Sequence, residues 1–155
     1  GQVATELNRR FRAGESDGRF LTMILSVLDT HTGRLSFACA GHPPPLILRG
    51  TRQIEAPDTA GVPIAILDDI EYEAAVLHLD HGDRVYLFSD GLLEQREASS
   101  REQFGMGRLL ALLTQHRETP VGDVVRHAID TLAGWAGSTG FTDDVSLVAF
   151  EWLGG

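Results

Sequence analysis

Apolar and polar residues along this chain follow two different spacings, and the change between them organises the reading. Val3, Leu7 and Phe11 recur at helical intervals, and Gly14 stands where a C′ glycine stops a helix. This predicts a helix end of about ten residues, followed by a polar loop over 15–19. Residues 20–28 are apolar and rich in β-formers, 29–33 read as a tight turn, and 34–40 as the returning strand. Gly41-His42-Pro43-Pro44-Pro45 must leave regular structure, because three prolines cannot donate to a ladder. Residues 46–49 and 52–56 flank Gly50-Thr51 as a second hairpin, and 57–70 read as loop. Residues 71–79 alternate, with Tyr72, Ala74, Val76 or their neighbours available to one face, and Asp80-His81-Gly82-Asp83 turns the chain into a strand over 84–88.

Beyond that strand the period lengthens. Residues 92–97 make one or two helical turns, and Leu109, Leu110, Leu112 and Leu113 mark a helix starting near Met106 or Gly107. Thr119 as N-cap and Pro120 at N1 open another, whose stripe is Val121, Val124, Val125, Ala128, Ile129 and Leu132. Residues 134–140 are small and loose, and a last strand runs over 145–152. Strands joined by short turns, with helices grouped together, give an α+β class rather than alternating β-α-β.

Composition narrows the classes. A chain of 155 residues is read as one domain, 1–155, with room for a real core. A net charge of −9 without a Lys or Arg cluster argues against a nucleic-acid groove. The single Cys39 excludes an internal disulfide and fits a reducing, cytoplasmic compartment. No apolar run approaches a membrane span, and no signal peptide is visible. A start without Met, in mid-helix, leads us to expect a piece of a longer protein.

Two short acidic motifs carry the candidate chemistry. Ser89-Asp90-Gly91 follows the strand at 84–88, and Thr142-Asp143-Asp144 precedes the strand beginning at Val145. Carboxylates at the ends of buried strands are held at the rim of a sheet. If the two strands are neighbours, Asp90 and Asp143 can converge on one hard cation such as Mg²⁺ or Mn²⁺. Each motif alone also reads as an ordinary turn or strand start. The adjacent acids Asp143 and Asp144 repel each other unless something positive is near, which leaves the two readings level.

Motif order separates them. Ala38-Cys39-Ala40-Gly41-His42-Pro43-Pro44-Pro45, then Gly82-Asp83-Arg84-Val85-Tyr86-Leu87-Phe88-Ser89-Asp90-Gly91-Leu92-Leu93-Glu94, then Asp143-Asp144-Val145-Ser146-Leu147 stand in sequence. Together they resemble the bacterial PPM-type serine/threonine phosphatases of the SpoIIE/RsbU group, relatives of protein phosphatase 2C. Gly61-Val62-Pro63-Ile64-Ala65 resembles the group's Gly-x-Pro-Leu-Gly loop, with Ala65 at the last Gly. The resemblance implies a β-sandwich of two antiparallel sheets flanked by helices. It also implies hydrolysis of phosphoserine or phosphothreonine by water activated on two Mn²⁺ or Mg²⁺ ions. Carried over by position, Asp90 and Asp143 are ligands of one ion. Asp144 orients Asp143 or a metal water, Glu94 helps hold an additional weak metal, and Gly91 lets the chain turn beside the ion.

The group's N-terminal motif, a bridging Asp followed by Gly-His-Gly, has no counterpart here, and Gly41-His42 matches a separate, downstream position. The sandwich is therefore expected to be N-terminally truncated, and the chain alone weakly active or inactive. The resemblance further implies a phosphorylated STAS-type (anti-anti-sigma) substrate in partner-switching signalling, with an upstream sensor or receiver domain. The alternatives are a non-catalytic binding domain of the same fold, or a glycosidase using Asp90 and Asp143 as acid and base, for which no stacking aromatic cluster speaks. His78 and His81 span a strand end and a turn and read as exposed. His42 reads as bonding its own loop, Cys39 as buried, and Trp135 and Trp152 as packing residues.

Overall fold

A computed structural model describes residues 1–12, 14, 17–50, 53–59 and 61–155. The chain divides into two compact units. The first comprises Gly1–Pro44, Pro57–Asp80 and Gly154–Gly155; the second comprises Pro45–Ala56 and His81–Leu153.

The first unit holds helix α1 (Gln2–Arg10) and strands β1 (Met23–Asp29), β2 (Arg34–Ala40) and β5 (Ala75–His78). They form an antiparallel sheet in the order β1-β2-β5. The β1–β2 hairpin pairs Met23 with Ala40 through to Asp29 with Arg34. Its turn closes as expected: Asp29 Oδ1 accepts from the amides of His31 at 2.9 Å and Thr32 at 3.3 Å, and Gly33 takes the left-handed conformation. Those donors hold the Asp29 carboxyl below its ordinary pKa. The strand over 71–79 is shorter than expected. Its half-buried residues are Ala75 and Leu77, whereas Val76 points outward, so of the two faces the alternation left open the strand turns the one with Ala75 and Leu77 inward.

Helix α1 also departs from its apolar reading. Val3 and Phe11 are exposed, and the buried positions are Ala4, Thr5 and Asn8. The helix ends at Arg10 with Phe11 as its cap, before Gly14. The physical reason lies in the irregular segment it meets. Backbone groups there have no ladder and must be satisfied by side chains. Asn8 donates to the Leu67 carbonyl at 2.9 Å and accepts from the Ala65 amide at 3.0 Å. Thr5 Oγ1 accepts from the Tyr72 amide at 3.0 Å, and the Tyr72 hydroxyl donates to the Val62 carbonyl at 2.9 Å. Ala65 sits at φ +69°, a conformation that favours glycine, which fits its place at the last Gly of the loop pattern.

The second unit holds β3 (Leu46–Leu48), β4 (Ile54–Glu55), β6 (Arg84–Phe88) and β7 (Leu147–Glu151), in the antiparallel order β4-β3-β6-β7. The expected hairpin of β3 and β4 is present, although Thr51 and Arg52 of its predicted span lie outside the described residues. Helices α2 (Asp90–Glu94), α3 (Gly105–Gln115) and α4 (Val121–Ala136) follow. Leu109, Leu112 and Leu113 of α3 and Val124, Ala128 and Leu132 of α4 bury their stripe against Leu46, Leu48, Tyr86 and Phe88. Pro120 is the N-cap of α4 rather than its first residue, because its carbonyl accepts from Asp123 and Val124. The helix then runs through Gly134 to Ala136, where loop was expected. Buried Ala136 extends the inward stripe by one turn.

Asp83 fixes the β3–β4 corner. Its buried carboxylate accepts from Arg49 at 2.5 Å and from the Gly50 amide at 3.1 Å, while Arg49 also pairs with Glu55 at 2.9 Å. Removing Asp83 takes one of the two carboxylates from Arg49 and the side-chain acceptor from the Gly50 amide. Asp83→Ala is expected to lower the unfolding free energy by about 3 kcal/mol, read by urea denaturation followed through Trp135 and Trp152. By contrast, a Cβ on Gly134 meets nothing within 4 Å, so Gly134→Ala is expected to raise stability by about 0.5–1 kcal/mol in the same assay.

Candidate metal centre

Strands β6 and β7 are neighbours, which was the condition for the two acidic motifs to meet. Their register runs from Arg84 opposite Glu151 to Phe88 opposite Leu147. One further bond continues it, from the Ser89 amide to the Ser146 carbonyl at 3.0 Å. Asp90 is then the first residue of α2, and Asp143 and Asp144 lie just ahead of β7. Both motifs therefore emerge at the same end of one sheet.

Contacts between the motifs are close. Ser89 occupies the N-cap of α2 but makes no side-chain cap bond. Its hydroxyl instead donates to the Asp144 carbonyl at 3.1 Å and accepts from the Ser146 amide at 2.9 Å. Gly91 is buried, and a Cβ there would lie 2.4 Å from the Asp144 carbonyl oxygen and 3.3 Å from Asp143 Cβ. The glycine is needed for this approach, not for a left-handed turn. Asp90 Oδ1 accepts from the Gly91 amide at 3.0 Å, and Asp143 Oδ1 from the Asp144 amide at 2.7 Å, so each carboxylate is oriented through one oxygen.

The rim carries four carboxylates. Asp90, Glu94, Asp143 and Asp144 are all exposed. Among the described residues, no Lys, Arg or His forms an ion pair with any of them. Oxygen donors of this kind suit a hard divalent cation with water completing its shell. Among the described residues no group of three or more His, Cys, Asp or Glu is placed to hold a metal. The carboxylates of Asp90 and Asp143 at this rim therefore do not by themselves form a closed cage.

Gln95 is the site-linked residue that the sequence reading missed. It lies at the C-cap of α2, is buried, and its side-chain oxygen accepts from the Thr142 amide at 3.0 Å. A Gln after a short helix carries no sequence signal of such a bond, because its partner is 47 positions away. The remaining candidates take structural places. His42 Nδ1 donates to the Pro43 carbonyl at 2.8 Å. Cys39 is buried, and burial pushes its thiol up, away from the reactive thiolate. His78 and His81 are exposed. Trp135 packs edge-on against Phe104 at 5.9 Å, with Arg108 over its ring at 4.3 Å.

Comparison with known proteins identifies the frame around this site. The family model described as Stage II sporulation protein E (SpoIIE) matches residues 1–153. The chain belongs to the SpoIIE family. Within it, the chain is similar to phosphoserine phosphatase RsbU of Bacillus subtilis, 26% identical over 132 residues, covering 84% of this chain and 39% of that protein. It is also similar to phosphoserine phosphatase RsbP of the same organism, 24% identical over 135 residues, covering 84% of this chain and 32% of that protein. The solved SiaA-PP2C domain of Pseudomonas aeruginosa superposes with a TM-score of 0.82 at 23% identity, over 96% of this chain and 59% of that one. Two antiparallel sheets with helices are thus a PP2C-type, α+β fold, as the SpoIIE/RsbU resemblance implied. The chain spans roughly a third of the length of these two SpoIIE-family relatives.

The close approach at Gly91 generates a test. Gly91→Ala must push Asp143-Asp144 away from α2. We expect amide chemical-shift changes concentrated at 142–146 and a loss of Mn²⁺ affinity of about tenfold, by NMR titration. Gly122→Ala, where a Cβ meets nothing within 4 Å, is expected to leave both unchanged.

Proposed function

We propose that this chain is the larger, C-terminal part of a single metal-dependent phosphatase domain, 1–155, acting on phosphoserine or phosphothreonine in a protein. One observation carries the reading: β6–β7 pairing brings Asp90 and Asp143, both without a cationic partner among the described residues, to one sheet end in a SpoIIE-family chain. Asp90 and Asp143 would hold one Mn²⁺ or Mg²⁺ ion. Asp144 orients Asp143 through its amide, Glu94 stands one turn beyond Asp90 for a further weak ion, and Gly91 admits the close approach. Divalent ions at such a site supply activation of water and neutralisation of phosphoryl charge during in-line displacement. A second ion needs ligands beyond these two carboxylates, which we assign to an upstream Asp and Gly-His-Gly segment of a longer protein. On this reading the isolated chain turns over slowly.

The names of RsbU and RsbP support a phosphoserine substrate. The finer proposal is a phosphorylated STAS-type regulator in bacterial partner-switching control of sigma factors, met in the cytoplasm. The greater length of both relatives leaves room for an upstream sensor or receiver domain. No helix among the described residues is long and apolar enough to cross a membrane. A second reading, a non-catalytic binding domain of the same fold, is favoured by one observation, the absence of a three-ligand cluster among the described residues.

Mutation of the carboxylates in the longer protein separates the two. Asp90→Asn and Asp143→Asn are each expected to cut Mn²⁺-dependent phosphate release from a phosphoserine STAS protein by at least about a hundredfold. Unchanged release in both variants contradicts the metal role, and no release from the unmutated longer protein supports the binding domain.

A further inference from the structure

We propose that Gln95 is a positioning residue that sets where Asp143 stands relative to Asp90 and thereby tunes the affinity of the site for a divalent cation. The proposal rests on the metal reading above. It starts from an oddity of burial. Gln95 is 1% exposed, and a buried amide costs stability unless both of its ends are bonded. Here both are. Oε1 accepts from the Thr142 amide at 3.0 Å and from Thr142 Oγ1 at 3.4 Å. Nε2 donates to the Arg96 carbonyl at 3.1 Å and to the Gly140 carbonyl at 3.4 Å.

The placement of these bonds gives them their consequence. They grip residues 140 and 142, immediately ahead of Asp143. Ser89 grips the other side, at Asp144 and Ser146. Ser89 and Gln95 are the N-cap and C-cap of α2, and α2 carries Asp90. Asp143 is thus suspended between two clamps that belong to the ends of the helix bearing the other carboxylate. Two exposed like charges side by side, Asp143 and Asp144, would otherwise drive this segment away from Asp90. Ordering it beforehand removes that entropy cost from ion binding. The chemistry also selects glutamine. Glutamate would set an acceptor oxygen against the carbonyls of Arg96 and Gly140, and methionine of similar length would lose every bond.

The test is a Mn²⁺ titration of the ¹⁵N-labelled chain, read by paramagnetic broadening of the Gly91 and Asp144 amides. In the unmutated chain both broaden with one midpoint. Gln95→Met is expected to raise that midpoint about tenfold, with the core resonances of Phe104 and Leu132 in place. Gln95→Glu, which keeps the bond to Thr142 but repels the two carbonyls, is expected to shift it in the same direction. Because Gln95 acts through Asp143, the Asp143→Asn and Asp143→Asn/Gln95→Met chains should share one midpoint, whereas a merely destabilising substitution would add its own factor. Saturable broadening with the same midpoint in the unmutated, Gln95→Met and Gln95→Glu chains overturns the assignment to Gln95 alone. Absence of saturable broadening in the unmutated chain overturns the metal reading and this proposal with it.

Discussion

The pairing of β6 with β7 is the constraint from which the candidate site follows. An antiparallel ladder fixes register residue by residue, and here Phe88 opposite Leu147 leaves the next residues of both strands at one rim. Hydrophobic burial of Tyr86 and Phe88 beneath α3 and α4 holds that ladder in place. A slip of one residue would turn both side chains away from the helices, so core packing and carboxylate placement are specified together. The acidic rim is therefore a consequence of a well-packed sheet rather than of a loop folding on its own.

Polar side chains do a second, recurrent task in both units. Thr5 and Asn8 of α1 satisfy backbone groups at Tyr72, Ala65 and Leu67. Ser89 and Gln95 do the same for residues 140–146. In each case an irregular segment lacks a ladder, and a helix-borne amide or hydroxyl replaces it. This explains why α1 buries Thr5 and Asn8 while Val3 stays exposed. It also explains why Ser89 gives up capping its own helix.

What the sequence revealed divides along the same physical line. The strands at 34–40, 46–48 and 84–88, the hairpin turn at Asp29 and the stripes of α3 and α4 were legible because they follow period and turn chemistry. The motif order around Asp90 and Asp143 was legible too, and with it the family. The buried face of α1, the N-cap at Pro120 and the run of α4 through Gly134 were not, and the alternation over 71–79 left the inward face of β5 open. Those depend on which tertiary partner needs a donor, an acceptor or a further apolar turn. Gln95 was hidden for the same reason, since Thr142 is distant in sequence and its amide leaves no local trace.

The central claim is that one divalent cation is shared by Asp90 and Asp143 at the rim of the β6–β7 pair. Anomalous diffraction from crystals of the longer protein grown with Mn²⁺ tests it most directly. The account predicts a manganese peak within coordination distance of one carboxylate oxygen from each of the two residues, about 2.0–2.2 Å away. Peaks that touch neither carboxylate, at a metal concentration that supports phosphatase activity, would contradict it.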